Sequence, residues 1–115
     1  MSDRKDFKEQ ARKIIARRNL GGLANDTKWG EFFSEFKNAR IALEFKFIDD
    51  ERPVQCGVLW MPVPGYIEGN HMAPYPFIYI EWVRSHNVEP VVGAAKAAGL
   101  EVIVEDGTAV VYGYR

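Results

Sequence analysis

Between Arg40 and Phe47 apolar and polar positions alternate: Ile41, Leu43, Phe45 and Phe47 point one way, Arg40, Ala42, Glu44 and Lys46 the other. A period of two predicts a strand with one buried and one wet face. After the polar turn Asp49-Asp50-Glu51-Arg52-Pro53, Val54, Cys56, Val58 and Trp60 repeat the period, which predicts a hairpin with a five-residue loop. Upstream the period is helical. Phe7, Ala11, Ile14 and Ile15 make a narrow stripe over 3–18, starting near Ser2 or Asp3 and stopped by Asn19-Leu20-Gly21-Gly22. A second helix starts at the N-cap types Asn25-Asp26-Thr27. Its Trp29, Phe32, Phe33 and Phe36 fall at i, i+3, i+4 and i+7, a spacing that reads as core packing and not as a ligand box.

Phe77 to Arg84 is apolar on both faces, which predicts a central strand covered at least in part on both sides. Glu89-Pro90 opens a third helix with Pro90 in the first turn, Val91, Val92, Ala95 and Ala98 inward and Gly99 as its C-cap. Leu100–Glu105 and Thr108–Tyr114 are strands joined by Asp106-Gly107, a type I′ turn signal. Between these regular stretches, residues 62–76 carry Pro62, Pro64, Gly65, Gly69, Pro74 and Pro76, which forbid a continuous helix or central strand. A loop this long is often functional, and Tyr66, Ile67, His71, Met72 and Tyr75 either cap the core or present a contact surface. The order α-α-β-β-β-α-β-β predicts one α+β domain over 1–115, with a basic helical segment 1–22 and a body 25–115. Its antiparallel or mixed sheet would have about five strands, with helices mainly on one face. A free edge, such as the last strand ending at Arg115, would allow a homodimer.

Charge adds an asymmetry. The net charge is −1, but residues 1–18 hold seven basic and three acidic side chains (7 − 3 = +4), and residues 19–115 eight and thirteen (8 − 13 = −5). An acidic body opposes a phosphate backbone, so nucleic acid is an unfavoured partner and a basic protein a better one. The Lys and Arg stems of the first helix read as a solvated face. No apolar run approaches the roughly 18 residues of a membrane span, and the charged start Met1-Ser2-Asp3-Arg4-Lys5 lacks the apolar core of a signal peptide. With Cys56 as the single cysteine, no internal disulfide forms, and the expected location is cytoplasmic.

Candidate chemistry is sparse. His71, His86 and Cys56 are spaced fifteen residues apart, without any C-x-x-C, H-x-H or H-E-x-x-H pattern, so no metal site and no cofactor is expected. Cys56 sits mid-strand among apolar residues and reads as a small hydrophobe. There is no G-x-S-x-G elbow and no phosphate-binding loop. Glu81 interrupts the most apolar strand, and a carboxylate there must be paired, hydrogen-bonded or raised in pKa. It is either a structural ion pair, with Arg40 or Lys46 across the sheet, or a general acid or base in a pocket, assisted by His71 or His86.

Two stretches carry a family resemblance. Asn25-Asp26-Thr27-Lys28-Trp29 and Tyr75-Pro76-Phe77-Ile78-Tyr79-Ile80-Glu81-Trp82 resemble an uncharacterised bacterial family of unknown function with an N-x-T-x-W helix start and a central Y-x-Y-I-E-W strand. The chain departs from that pattern before the strand, where Gly57-Val58-Leu59-Trp60 stands nearest to an expected W-x-G-x-W-like stretch. The resemblance implies kinship of fold without an activity. Small acidic proteins of this kind are similar to the immunity proteins that neutralise toxins by covering them. The expectation is therefore a non-enzymatic protein-binding domain, an immunity-type inhibitor. Its contacts would come from Asp49, Asp50, Glu51, Tyr66, Glu68, His71, Tyr75 and Glu81. The alternative is an enzyme or small-ligand binder with a pocket around Glu81.

Overall fold

The structure, a computed structural model, describes residues 3–36, 41–61, 64–70 and 72–115. Among these residues the fold is α+β, with three α-helices and eight strands in two antiparallel sheets.

Helix α1 spans Asp3–Arg18 and ends in a Schellman turn. Asn19 takes a left-handed φ of 54°, while the Leu20 and Asn19 amides donate to the Ile15 and Ala16 carbonyls. Helix α2 spans Asp26–Ser34, and the side chain of its N-cap Asn25 accepts from the Lys28 amide at 2.8 Å. Helix α3, Val88–Ala97, closes in the same way as α1, with Gly99 at φ 75° and the Leu100 amide donating to the Ala95 carbonyl.

The main sheet has the order β2-β1-β6-β8-β7, formed by β1 (Leu43–Phe47), β2 (Val54–Cys56), β6 (Ile80–Ser85), β7 (Glu101–Glu105) and β8 (Thr108–Tyr112). Alternation gives it one apolar face. Leu43, Phe45, Phe47, Val83, Ala109 and Val111 are almost fully buried and meet Trp29, Phe32 and Phe33 of α2 and Val91 and Ala95 of α3. Phe33 stacks on Phe45 with centroids 5.8 Å apart and meets Phe77 at 5.6 Å. Each such ring contributes about 1.5–3 kcal/mol by leaving water, so the aromatic stripe of α2 anchors that helix to the sheet. The opposite face carries Glu44, Lys46, Trp82, Arg84, Val110 and Tyr112, half-buried or exposed.

Four features depart from the sequence expectation. The stretch from Val54 to Trp60 is two strands, not one. At Gly57 the chain leaves the main sheet, so Cys56 is buried while Val58 and Trp60 are 41% and 42% exposed. Residues 62–76 are not simply a loop. β4 (Tyr66–Gly69) and β5 (Met72–Pro76) join β3 (Leu59–Trp60) in a second sheet of order β3-β4-β5. Pro74 and Pro76 are tolerated because β5 is an edge strand that owes no ladder bonds on its outer side. Phe77–Tyr79 is a 3₁₀ turn, and β6 begins with a bulge. Lys46 pairs with Trp82 and Phe47 with Ile80, leaving Glu81 unmatched. The extra residue puts Glu81 and Trp82 both between the buried Ile80 and Val83. The strand is therefore covered on one face, and its apolar run reflects a turn plus a bulge. The last strand, β8, lies between β6 and β7, so the exposed edge of the main sheet at that side is β7 and not the strand leading to Arg115.

Candidate functional site

Three of the expected site residues, Glu81, Asp49 and Tyr75, lie around the end of β1. Lys46 points to the open face, and its Nζ donates to Glu81 Oε1 at 3.1 Å and to the Phe47 carbonyl at 2.8 Å. Arg18, at the end of α1, grips the same carboxylate with two nitrogens, Nη1 to Oε1 at 3.0 Å and Nη2 to Oε2 at 3.2 Å, and Nη1 also donates to the Ile48 carbonyl at 3.1 Å. The side chains of Glu81 and Lys46 are 17% and 15% exposed, so this pair is largely shielded from water. Burial pushes the Glu81 carboxyl up, but the hydrogen bonds and charges of Arg18 and Lys46 outweigh it and hold the pKa below its ordinary value. Glu81 is thus a fixed anion bonded on both oxygens, which suits a strut better than a proton-transfer group.

One residue past Ile48, the Asp49 carboxylate accepts a hydrogen bond from Tyr75. Partial burial raises the Asp49 pKa, with the neighbouring Asp50 charge adding to it and the Tyr75 bond opposing it. The Tyr75 ring lies flat on Phe47, with centroids 3.9 Å apart, and meets Tyr79 edge-on at 5.5 Å. Tyr79 is buried, donates to the Phe7 carbonyl at 2.7 Å and is pushed up to about 12 by burial and by Asp49. Phe7 completes the cluster at 4.6 Å from Tyr79, which clips α1 to the 3₁₀ turn.

The other expected residues are distributed around this centre. Asp50 and Glu51 are exposed at the tip of the β1–β2 turn, and Asp50 Oδ1 accepts from the Arg52 amide at 2.9 Å. Glu68 lies opposite Trp60 in the small sheet, half-buried. Tyr66, on β4, is buried at 9% exposure, so its ring serves the interior and not a surface contact. His71 and Arg40 lie outside the described residues. His86 is exposed beside Thr108, with Nδ1 at 3.1 Å from the hydroxyl. Sequence reading missed Arg18, whose reach across 63 positions no periodicity announces, and the exposure of Val58.

Hollows occur elsewhere. One of about 340 Å³ lies between α1 and α2 beside Arg12, Asp26 and Tyr114. Another of about 480 Å³ lies under α2 beside Met61 and Gly65, and a third of about 730 Å³ lies on the open sheet face beside Glu44, Arg84 and His86. Glu81 lines none of the three. Among the described residues no three His, Cys, Asp or Glu side chains gather as a metal site, and no helix is long and apolar enough to cross a membrane.

Residues 11–115 match the profile of a family described as a family of unknown function, DUF6678. No curated protein and no solved structure matches the chain.

Proposed function

We propose that this chain, which belongs to the DUF6678 family of unknown function, is an intracellular bacterial protein-binding domain of the immunity type, neutralising a toxin by occluding it. The observation that carries this reading is the outer face of the small sheet. Val58 and Trp60 stand 41% and 42% exposed on and beside its edge strand, with Glu68 directly across from Trp60. The exposed Asp50 and Glu51 at the β1–β2 turn, with Asp49 held by Tyr75 of β5, add further carboxylates to the surface. An exposed tryptophan with a carboxylate across from it is the composition of a contact hot spot for a basic partner.

The surface needs no catalytic group of its own. The shielded, doubly paired Glu81 supports that view, because a general acid would require its proton at neutral pH.

The test is capture of a partner by the tagged chain in its native cell, followed by association kinetics with the purified pair. A single stoichiometric partner, toxic when expressed alone, is expected. Its association rate should fall with salt, and Trp60→Ala or Asp50→Lys should weaken binding without altering the fold. Binding that both variants leave intact, or a rate indifferent to salt, would overturn the proposal.

A further inference from the structure

We infer that the chain forms a twofold dimer by pairing β7 with β7 of a second copy, joining two main sheets into one. This inference stands apart from the proposed function and uses none of its residues.

β7 is the outermost strand of the main sheet, and among the described residues its backbone bonds only to β8. Its sequence, Glu101-Val102-Ile103-Val104-Glu105, reads the same in both directions. An antiparallel copy centred on Ile103 therefore sets each residue against its mirror position, as a twofold axis requires.

The orientation of the free backbone groups fits this register. Asp106-Gly107 is a two-residue turn with φ of 51° and 74°, closed by the Glu105–Thr108 pair. In such a hairpin the closing pair exchanges both of its hydrogen bonds. Alternation then directs the groups of Ile103 and Glu101 towards β8 and leaves those of Val102 and Val104 facing outward. Centring on Ile103 matches Val102 of one copy with Val104 of the other, twice, so that every outward donor meets an acceptor.

Side chains agree as well. Val104 is 50% exposed, the highest value among the large exposed hydrophobic side chains. In the dimer it falls beside Val102 of the second copy, a residue packed against the core. Glutamates at strand ends normally guard an edge against such pairing, and here Glu101 would face Glu105 of the other copy. The Arg115 guanidinium, bonded to Glu101, supplies the opposite charge at that point.

The test is molar mass by sedimentation across a dilution series, with oxidative crosslinking of an Ile103→Cys variant. Residues facing one another at such a wide pair have Cα atoms about 4.5 Å apart, inside the disulfide range. A mass rising towards twice that of one chain is expected, together with rapid crosslinking of Ile103→Cys and slow crosslinking of Val110→Cys one strand inward. Val104→Lys should return the mass to one chain while its circular dichroism stays native. A single-chain mass at every concentration, or equal crosslinking of the two cysteine variants, would overturn the inference.

Discussion

Replacing Glu81 by Gln tests whether the Arg18–Glu81–Lys46 cluster is a strut that depends on charge. The substitution keeps the shape and removes the anion. One oxygen can still accept from Lys46, but the new amide group faces the Arg18 guanidinium, donor against donor. Exposed ion pairs contribute about 0.2–1 kcal/mol, and stranding a buried charge costs about 3–5 kcal/mol. This cluster lies between, because Lys46 is 15% exposed and keeps the Phe47 carbonyl, while Arg18 is 36% exposed and keeps that of Ile48. The expected loss is about 2 kcal/mol near neutral pH, read as a urea midpoint lower by roughly 1 M. The sign of the pH dependence follows from the lowered Glu81 pKa. Stabilisation is complete above the ordinary carboxylate range and disappears as pH falls through the folded-state pKa. Glutamine does not titrate there, so the gap between the two proteins should close in acid. A neutral-pH gap under about 0.5 kcal/mol, the size of an ordinary surface change, or a gap that survives in acid, would refute the reasoning.

Two further substitutions probe the joints around the cluster. At Gly113 an added methyl would sit 2.3 Å from the Ile80 carbonyl oxygen and 3.1 Å from Trp29 Cζ2. Gly113→Ala should therefore cost about 3 kcal/mol or more, as overpacking against backbone does, checked by thermal unfolding. Tyr79→Phe removes the hydroxyl bond to the Phe7 carbonyl. It should cost about 1 kcal/mol and speed amide exchange in α1 relative to β6.

Legibility varied with how local the cause was. Asp106-Gly107 announced its turn because two adjacent residues there adopt positive φ, a property of residue type alone. The aromatic stripe of α2 was equally plain, since Trp29, Phe32 and Phe33, with Phe36 just past the helix end, stand at a helical spacing that has few other uses. The second sheet was not, because Pro74 and Pro76 argue against a central strand and say nothing against an edge. The run from Phe77 to Trp82 misled for a different reason. A 3₁₀ turn followed by a bulge shifts the alternation, and the residues then mimic a strand buried on both faces. At the site, Lys46 was a foreseeable partner for Glu81 as a cross-sheet neighbour, but Arg18 arrives from a helix end that only the folded chain brings there.

The pairing of β1 with β6 sets an order of events during synthesis. Glu44 and Arg84, ion-paired neighbours in the finished sheet, are separated by 40 positions. A ribosome adding about 5–20 residues per second therefore leaves Phe45 and Phe47 for about 2–8 s before their central partner exists. In that interval β1 can bond only to the three-residue β2, and its other edge stands open. The part of the main sheet made last, β6 through β8, is paired over shorter separations, the longest from Trp82 to Tyr112. The nascent chain thus carries its most aromatic strand with one edge open until β6 is made, and that interval is when it is most exposed to misassembly.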